Sequence, residues 1–477
     1  MDKNEKFGVK RILKKFIFIT TILCAFVLTG CAILGIPSQE ERQLLEGTFA
    51  EARAGFTTTL TENVTNRFAI PQPPEGIFSL VHFQSDVGPL AAYISSDPGD
   101  GQRHPLIIWV SGGWSNAISD LPWIYPEWDN DQTASAFREA GILMMYPSFR
   151  GANGNPGYHE TLYGEIDDIV AAFNFAASLP YVDPNRIYLG GHSTGATRVL
   201  LAAAYTDVFR AAFAFGPVDE IGEHNRAQFT FDIRDGAERM MRSPIHWLDD
   251  IATPTFIIEG RAGNAESLQN IQNATDNENV FVYIIEGGDH FDILAPLTRL
   301  AAQRILTDTG TNSNISFTQQ EMQTAMNMPP VSPMPIMLPH HNEEIGASFL
   351  LPFIWEGIHN EPLSFTYMPT HFDNNFWEAS YMFVDTYHLE VPFYSVDELA
   401  YWLGLDEDHE GYIAIIDGQE VPIWADSAVF ESGTYIYFVA AFQMDTQLTV
   451  FEFYTPIQFT QEASQLFEKM IYSVRFE

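Results

Sequence analysis

The 477-residue sequence carries 24 Lys and Arg against 62 Asp and Glu, a formal net charge of −38 that argues against nucleic acid as a partner. With 46% hydrophobic and 14% aromatic residues it has ample material for a core, so disorder throughout is excluded and the length calls for two folded domains. Its two cysteines, Cys24 and Cys31, both fall at the N-terminus, which leaves the rest of the chain without a disulfide framework or a thiolate metal site.

Lys10, Arg11, Lys14 and Lys15 precede an apolar run over 16–28 that ends in Leu28-Thr29-Gly30-Cys31. A basic start, a run shorter than the roughly 20 residues of a membrane span, and small residues before a cysteine make a secretory signal with a lipobox. The segment resembles bacterial lipoprotein signals. That resemblance implies cleavage before Cys31, acylation of its thiol, and a lipid anchor on the bacterial cell membrane, outside the cytoplasm. Residues 1–31 hold six Lys/Arg and two Asp/Glu, so the mature chain would carry 18 basic against 60 acidic residues, −42.

Residues 32–76 combine a short amphipathic stretch with Thr- and Pro-rich sequence and read as a tether. From Ile77 apolar runs at 77–83 and 90–94 flank Asp86-Val87-Gly88, a hairpin signal. The continuous apolar run 105–110 ends at Ser111-Gly112-Gly113, as a buried parallel strand does. Beyond it, helices are expected at 133–140, 163–179, 194–205 and 297–306, and strands at 142–146, 186–189, 211–215, 255–258 and 280–285. Strands alternating with helices predict a doubly wound, mostly parallel α/β sheet over 77–308. A linker follows over 309–344, with a short helix at 318–326 opened by a Thr318/Glu321 capping box and a proline-studded stretch, 328–339, expected to be irregular. Alternating aromatic strands with helices at 396–403 and 461–472 make 345–477 a smaller α+β domain.

Gly191-His192-Ser193-Thr194-Gly195 lies between a predicted strand and a predicted helix, the setting that gives a G-x-S-x-G match its meaning. The glycines permit a sharp turn that exposes the serine hydroxyl, so Ser193 is the candidate nucleophile and the Thr194 N–H a candidate oxyanion donor. The Ser111-Gly112-Gly113-Trp114 loop stands where the second donor belongs, from Gly113 or Trp114. His290, directly after the strand at 280–285, is the candidate general base. This chemistry requires no cofactor and no metal. The pair His340-His341 beside Glu343 and Glu344 has metal-ligand residue types, but a polar loop is the better reading.

With these motifs in order, residues 77–308 resemble the catalytic domain of the prolyl oligopeptidase family and its dienelactone-hydrolase relatives. Ser148-Phe149-Arg150-Gly151-Ala152-Asn153-Gly154, Val182-Asp183-Pro184-Asn185-Arg186-Ile187, Pro217-Val218-Asp219, Ser243-Pro244 and Ile251 through Pro254 add to the likeness. The resemblance implies an α/β-hydrolase fold and a serine hydrolase acting on an ester or a peptide. One departure stands out: where the family carries an aspartate three residues after a strand-ending glycine, Gly260 is followed by Arg261-Ala262-Gly263. Glu266 is the favoured third member, with Asn264 and Asp219 as the other candidates. The missing aspartate motivates an alternative, a catalytically impaired surface lipoprotein that binds a ligand or partner on a hydrolase scaffold. The family's size-filtering propeller cannot fit in the 45 residues between the signal and Ile77. At the C-terminus, 463–476 resembles PsbP-type domains faintly, and no function is carried across.

Overall fold

The computed structural model describes residues 46–123, 129–222, 227–328, 336–353, 355–369, 380–405, 410–430 and 433–476. The signal segment and Cys31 lie outside these residues. The chain divides into two compact units, one ending at Met328 and one made of Leu121–Ser135 and Pro329–Glu477.

The first unit is built on an eight-stranded sheet of order β1-β2-β4-β3-β5-β6-β7-β8. β1 (Phe78–Ser85) and β2 (Gly88–Ser95) form an antiparallel hairpin, and β2 pairs antiparallel with β4 (Leu143–Pro147). From β4 onward every pairing is parallel, through β3 (His104–Val110), β5 (Val182–His192), β6 (Ala212–Phe215), β7 (Thr255–Gly260) and β8 (Val280–Ile285). This is the order and pairing of an α/β-hydrolase sheet. The apolar runs are continuous because these strands are buried on both faces: every residue of β4, β6 and β7 is buried. Strand order reverses around β3, so the loops leaving the carboxyl ends of β3 and β5 open on a common crevice, where open α/β sheets place their sites.

The region expected to be a tether is instead part of this unit, as far as it is described. Helix α1 (Phe49–Gly55) starts with a Thr48/Glu51 capping box and buries Phe49 completely against Tyr205 and Trp247. Burying a phenylalanine side chain stabilises by about 1.5–3 kcal/mol, enough to hold a two-turn helix that would not form alone. Arg53 adds an ion pair to Asp167 at 2.7 Å. Leu60 bridges to Phe231 and the Pro71 carbonyl accepts from the Tyr93 hydroxyl at 2.7 Å. The composition of this stretch is that of a linker, and its few apolar residues dock it.

Helices α2 (Glu165–Ser178), α3 (Thr194–Tyr205), α4 (Ala265–Ala274) and α5 (Leu294–Thr307) flank the sheet. The helix expected at 133–140 contracts to one turn, Ser135–Glu139. The linker divides. Helix α6 (Gln319–Met326) has the Thr318/Glu321 capping box and belongs to the first unit, which Phe317 joins by packing against Phe213 and Phe256.

In the second unit, β9 (Met337–Asn342) is a strand although it contains Pro339, contrary to the irregular structure expected there. It is the edge of a three-stranded sheet with β10 (Ala347–Pro352) and β18 (Arg475–Phe476), and an edge strand tolerates proline's missing N–H. The main sheet has seven antiparallel strands, of order β11-β12-β13-β17-β16-β15-β14: β11 (Trp355–Glu361), β12 (Ser364–Pro369), β13 (Tyr381–His388), β14 (Glu410–Ile416), β15 (Gln419–Phe430), β16 (Gly433–Met444) and β17 (Gln447–Pro456). Leu399 and Ala400 of α7 (Val396–Trp402) pack with Val439 and Val450, whereas Leu466, Phe467 and Met470 of α8 (Thr460–Ile471) join Phe451 and Phe453. Alternating strand side chains feed these two separate cores, which is why the pattern read as alternating.

Candidate active site

Ser193 stands between β5 and α3 at φ +56°, ψ −121°, a conformation that L-residues avoid at a cost of order 1–3 kcal/mol. The turn is tight enough to need its glycines. A Cβ on Gly195 would collide with the Val110 carbonyl oxygen, and one on Gly191 would come within 2.8 Å of it. The Ser193 N–H donates to the Phe215 carbonyl at 2.8 Å, which ties the elbow to the end of β6.

The next residue after Phe215, Gly216, lies against the candidate base. A Cβ there would come within 2.5 Å of His290 Cε1 and 2.7 Å of Glu259 Oε2, and its φ of +67° is one that glycine adopts freely. His290 sits in the loop after β8, which Asp289 pins by accepting from the Phe291 and Asp292 N–H groups at 2.7 and 3.0 Å. Those two N–H groups hold the Asp289 carboxyl below its usual range. The Phe291 ring stands edge-on to the imidazole, 5.0 Å between centroids.

His290 Nδ1 donates to Glu259 Oε2 at 2.7 Å. Glu259 is fully buried at the end of β7 and also accepts from the Asn264 N–H at 2.9 Å and the Gly260 N–H at 2.7 Å. The acid on the imidazole is therefore not Glu266. Glu266 is exposed in the first turn of α4. Asn264 gives its amide to the Gly216 carbonyl at 3.0 Å, and Asp219 accepts from Ser267 and Asn270, each at 2.7 Å. The carboxylate comes from one residue before Gly260, and a glutamate's extra methylene lets a strand-end side chain reach where a loop aspartate would stand. The signal lay in the sequence: Thr-Phe-Ile-Ile-Glu-Gly places an acid inside a fully buried strand, and such a charge requires a partner.

His192, beside the serine, is almost fully buried, and its Nε2–H donates to the His290 carbonyl at 2.9 Å. Burial, with repulsion from His290 adding to it, pushes its pKa down to about 4, so it is a neutral prop under the base. Thr194 Oγ1 donates to the Gly113 carbonyl, and Trp114 packs edge-on to Phe229 at 5.2 Å. The Thr194 N–H lies in the first turn of α3, where no i−4 carbonyl is available to it. Arg150 is bound to Asp86 at 2.6 Å, Asp168 at 2.9 Å and Glu160 at 3.0 Å within the unit.

In the second unit His340 and His341 face different neighbours, Tyr367 at 3.1 Å and Ser348 at 2.9 Å. Among the described residues no group of three or more His, Cys, Asp or Glu is placed to hold a metal ion.

The fold and the elbow define an α/β-hydrolase domain. Residues 128–262 match the prolyl oligopeptidase family (peptidase S9), a segment that contains Ser193 and Glu259 and ends before His290. An Escherichia coli protein described as an uncharacterized 31.7 kDa protein in the traX-finO intergenic region is 32% identical over 154 residues, 30% of this chain and 50% of that one. The Penicillium crustosum polyketide transferase claH is 38% identical over 92 residues, 19% and 30% of the two chains. The chain thus spans half or less of the length of these relatives. Among solved structures, Porphyromonas gingivalis dipeptidyl peptidase 4 aligns with a TM-score of 0.41 at 20% identity, over 48% of this chain and 35% of that one.

Proposed function

We propose that the protein is a serine hydrolase that cleaves an ester or peptide bond through an acyl-enzyme. The observation that carries the proposal is the buried Glu259–His290 pair at 2.7 Å, set against the strained Ser193 elbow across Gly216. In this reading Ser193 Oγ attacks the carbonyl carbon as His290 Nε2 takes its proton. The tetrahedral oxyanion is bound by the Thr194 N–H and by the N–H of Gly113 or Trp114. The proton then passes to the leaving group, and water repeats the cycle to release the acid. Glu259 orients the imidazole and balances the positive charge it gains. We further propose that Cys31 carries a lipid anchor holding the protein on the outer side of the bacterial cell membrane.

The test is reaction of protein lacking residues 1–31 with a fluorophosphonate probe, followed by peptide mapping. Labelling at Ser193, abolished in Ser193→Ala and suppressed in His290→Ala, supports the hydrolase. Absence of labelling in folded protein favours the ligand-binding alternative. A panel of p-nitrophenyl esters against aminoacyl and prolyl anilides then separates esterase from peptidase.

A further inference from the structure

The loop that follows β3 runs on to Asn116, a buried residue with no part in the chemistry above. Every polar atom of its side chain is engaged. Nδ2 donates to the Arg150 carbonyl at 3.0 Å and to Glu165 Oε1 at 2.8 Å, and Oδ1 accepts from Arg198 Nη2 at 3.0 Å. The Asn116 carbonyl accepts from the Phe149 N–H at 2.9 Å and the Ser148 hydroxyl at 3.2 Å. Arg198 and Glu165 are both fully buried, and the guanidinium also lies over the Phe149 ring at 5.3 Å.

Arg198 is on α3, the helix that begins at Ser193. It follows Thr194 by four residues, so the two side chains leave the same face of the helix. Thr194 holds the Gly113 carbonyl, and Arg198 holds the Asn116 side chain. One helix face therefore grips both ends of the 113–116 segment that is to supply the second oxyanion donor. Burial pushes Glu165 up, but His159, Arg198, the Asn116 amide and Arg150 together bring it down to about 2, so the acceptor facing Asn116 is an anion. An amide suits this position because it donates to the carboxylate and accepts from the guanidinium at once.

We propose that Asn116, clamped between Arg198 and Glu165, is a positioning residue that fixes the second oxyanion donor relative to Ser193; the proposal rests on the serine-hydrolase reading. Oxyanion stabilisation depends on donor placement to within fractions of an ångström, and a loop held at two points by the nucleophile's own helix moves with the nucleophile.

The test compares wild type with Asn116→Ala in protein lacking residues 1–31, by three measurements. These are hydrogen exchange of the peptide spanning 111–116, affinity for a trifluoromethyl ketone that forms a tetrahedral oxyanion on serine, and kcat and KM for a p-nitrophenyl ester. Faster exchange confined to that peptide is expected. Ketone affinity and kcat should both fall roughly 10- to 100-fold while KM stays within about 3-fold. If Asn116→Ala does not fold, Arg198→Lys, which keeps the charge and shortens the reach to Asn116, should give the same pattern at several-fold size. Unaltered exchange, or faster exchange with unaltered ketone affinity, overturns the positioning role alone. A wild type that takes up neither ketone nor fluorophosphonate overturns the hydrolase reading and the oxyanion role with it.

Discussion

Glu259→Gln removes one charge from a fully buried group and changes little else in shape. The carboxylate accepts three hydrogen bonds, from His290 Nδ1 and the Asn264 N–H on Oε2 and from the Gly260 N–H on Oε1. A glutamine has one oxygen for these two positions, so at least one buried N–H faces an NH₂ group, at a stability cost of about 1–3 kcal/mol. The larger effect is on turnover. In the transition state His290 becomes an imidazolium, and with charge centres about 4 Å apart in an effective dielectric of about 20 its attraction to a carboxylate is about 4 kcal/mol. That corresponds to a loss of about 10³-fold in kcat, or more where the amide also selects the wrong imidazole tautomer. KM should hold within about 2- to 3-fold, because the interaction exists only once the proton has moved. The assay is steady-state hydrolysis of a p-nitrophenyl ester by folded protein, with Glu266→Gln as control. That substitution, at an exposed helix position, should leave kcat within about 2-fold. A fall of less than 10-fold in Glu259→Gln, or an equal fall in both variants, refutes the reasoning.

Gly216→Ala should cut kcat and the fluorophosphonate labelling rate by at least about 100-fold, since its Cβ would stand 2.5 Å from His290 Cε1; activity within a few-fold of wild type in folded protein argues against this geometry. His192, held down to about 4 by burial, binds its proton in the folded state only well below the ordinary value of 6.5. As pH falls from about 6.5 to about 4 the unfolded chain takes up that proton first, so stability present above this window is lost through it, by about 3 kcal/mol. Denaturant titrations should therefore show a shallower acid loss in His192→Gln than in wild type over that range, and parallel curves would count against it. Cys31→Ser should abolish palmitate labelling and leave the precursor uncleaved, with residues 1–30 still attached, in an expressing bacterium; unchanged labelling would remove the case for the anchor.

Much of the hydrolase domain was legible because its signals are local. A parallel strand buried on both faces is a continuous apolar run, and the serine elbow is five consecutive residues whose glycines have no substitute. The docking of residues 49–71 was not legible, since one completely buried phenylalanine and a few backbone bonds outweigh a composition that reads as a linker. Pro339 was misleading for a related reason: whether a proline is tolerated depends on whether its strand lies at an edge, and pairing order is not a local property.

The carboxylate on His290 marks the boundary most sharply. The sequence by itself determined that a serine on a strained turn and a histidine after the last strand would lie at the same end of a parallel sheet, because both follow the carboxyl ends of parallel strands. Which carboxylate meets the imidazole was decided only in three dimensions. Distances between β7 and β8 set whether an acid from a strand end or from the following loop reaches Nδ1, and the parallel register of Glu259 with Ile284 brings the strand-end glutamate beside the chain that leads to His290.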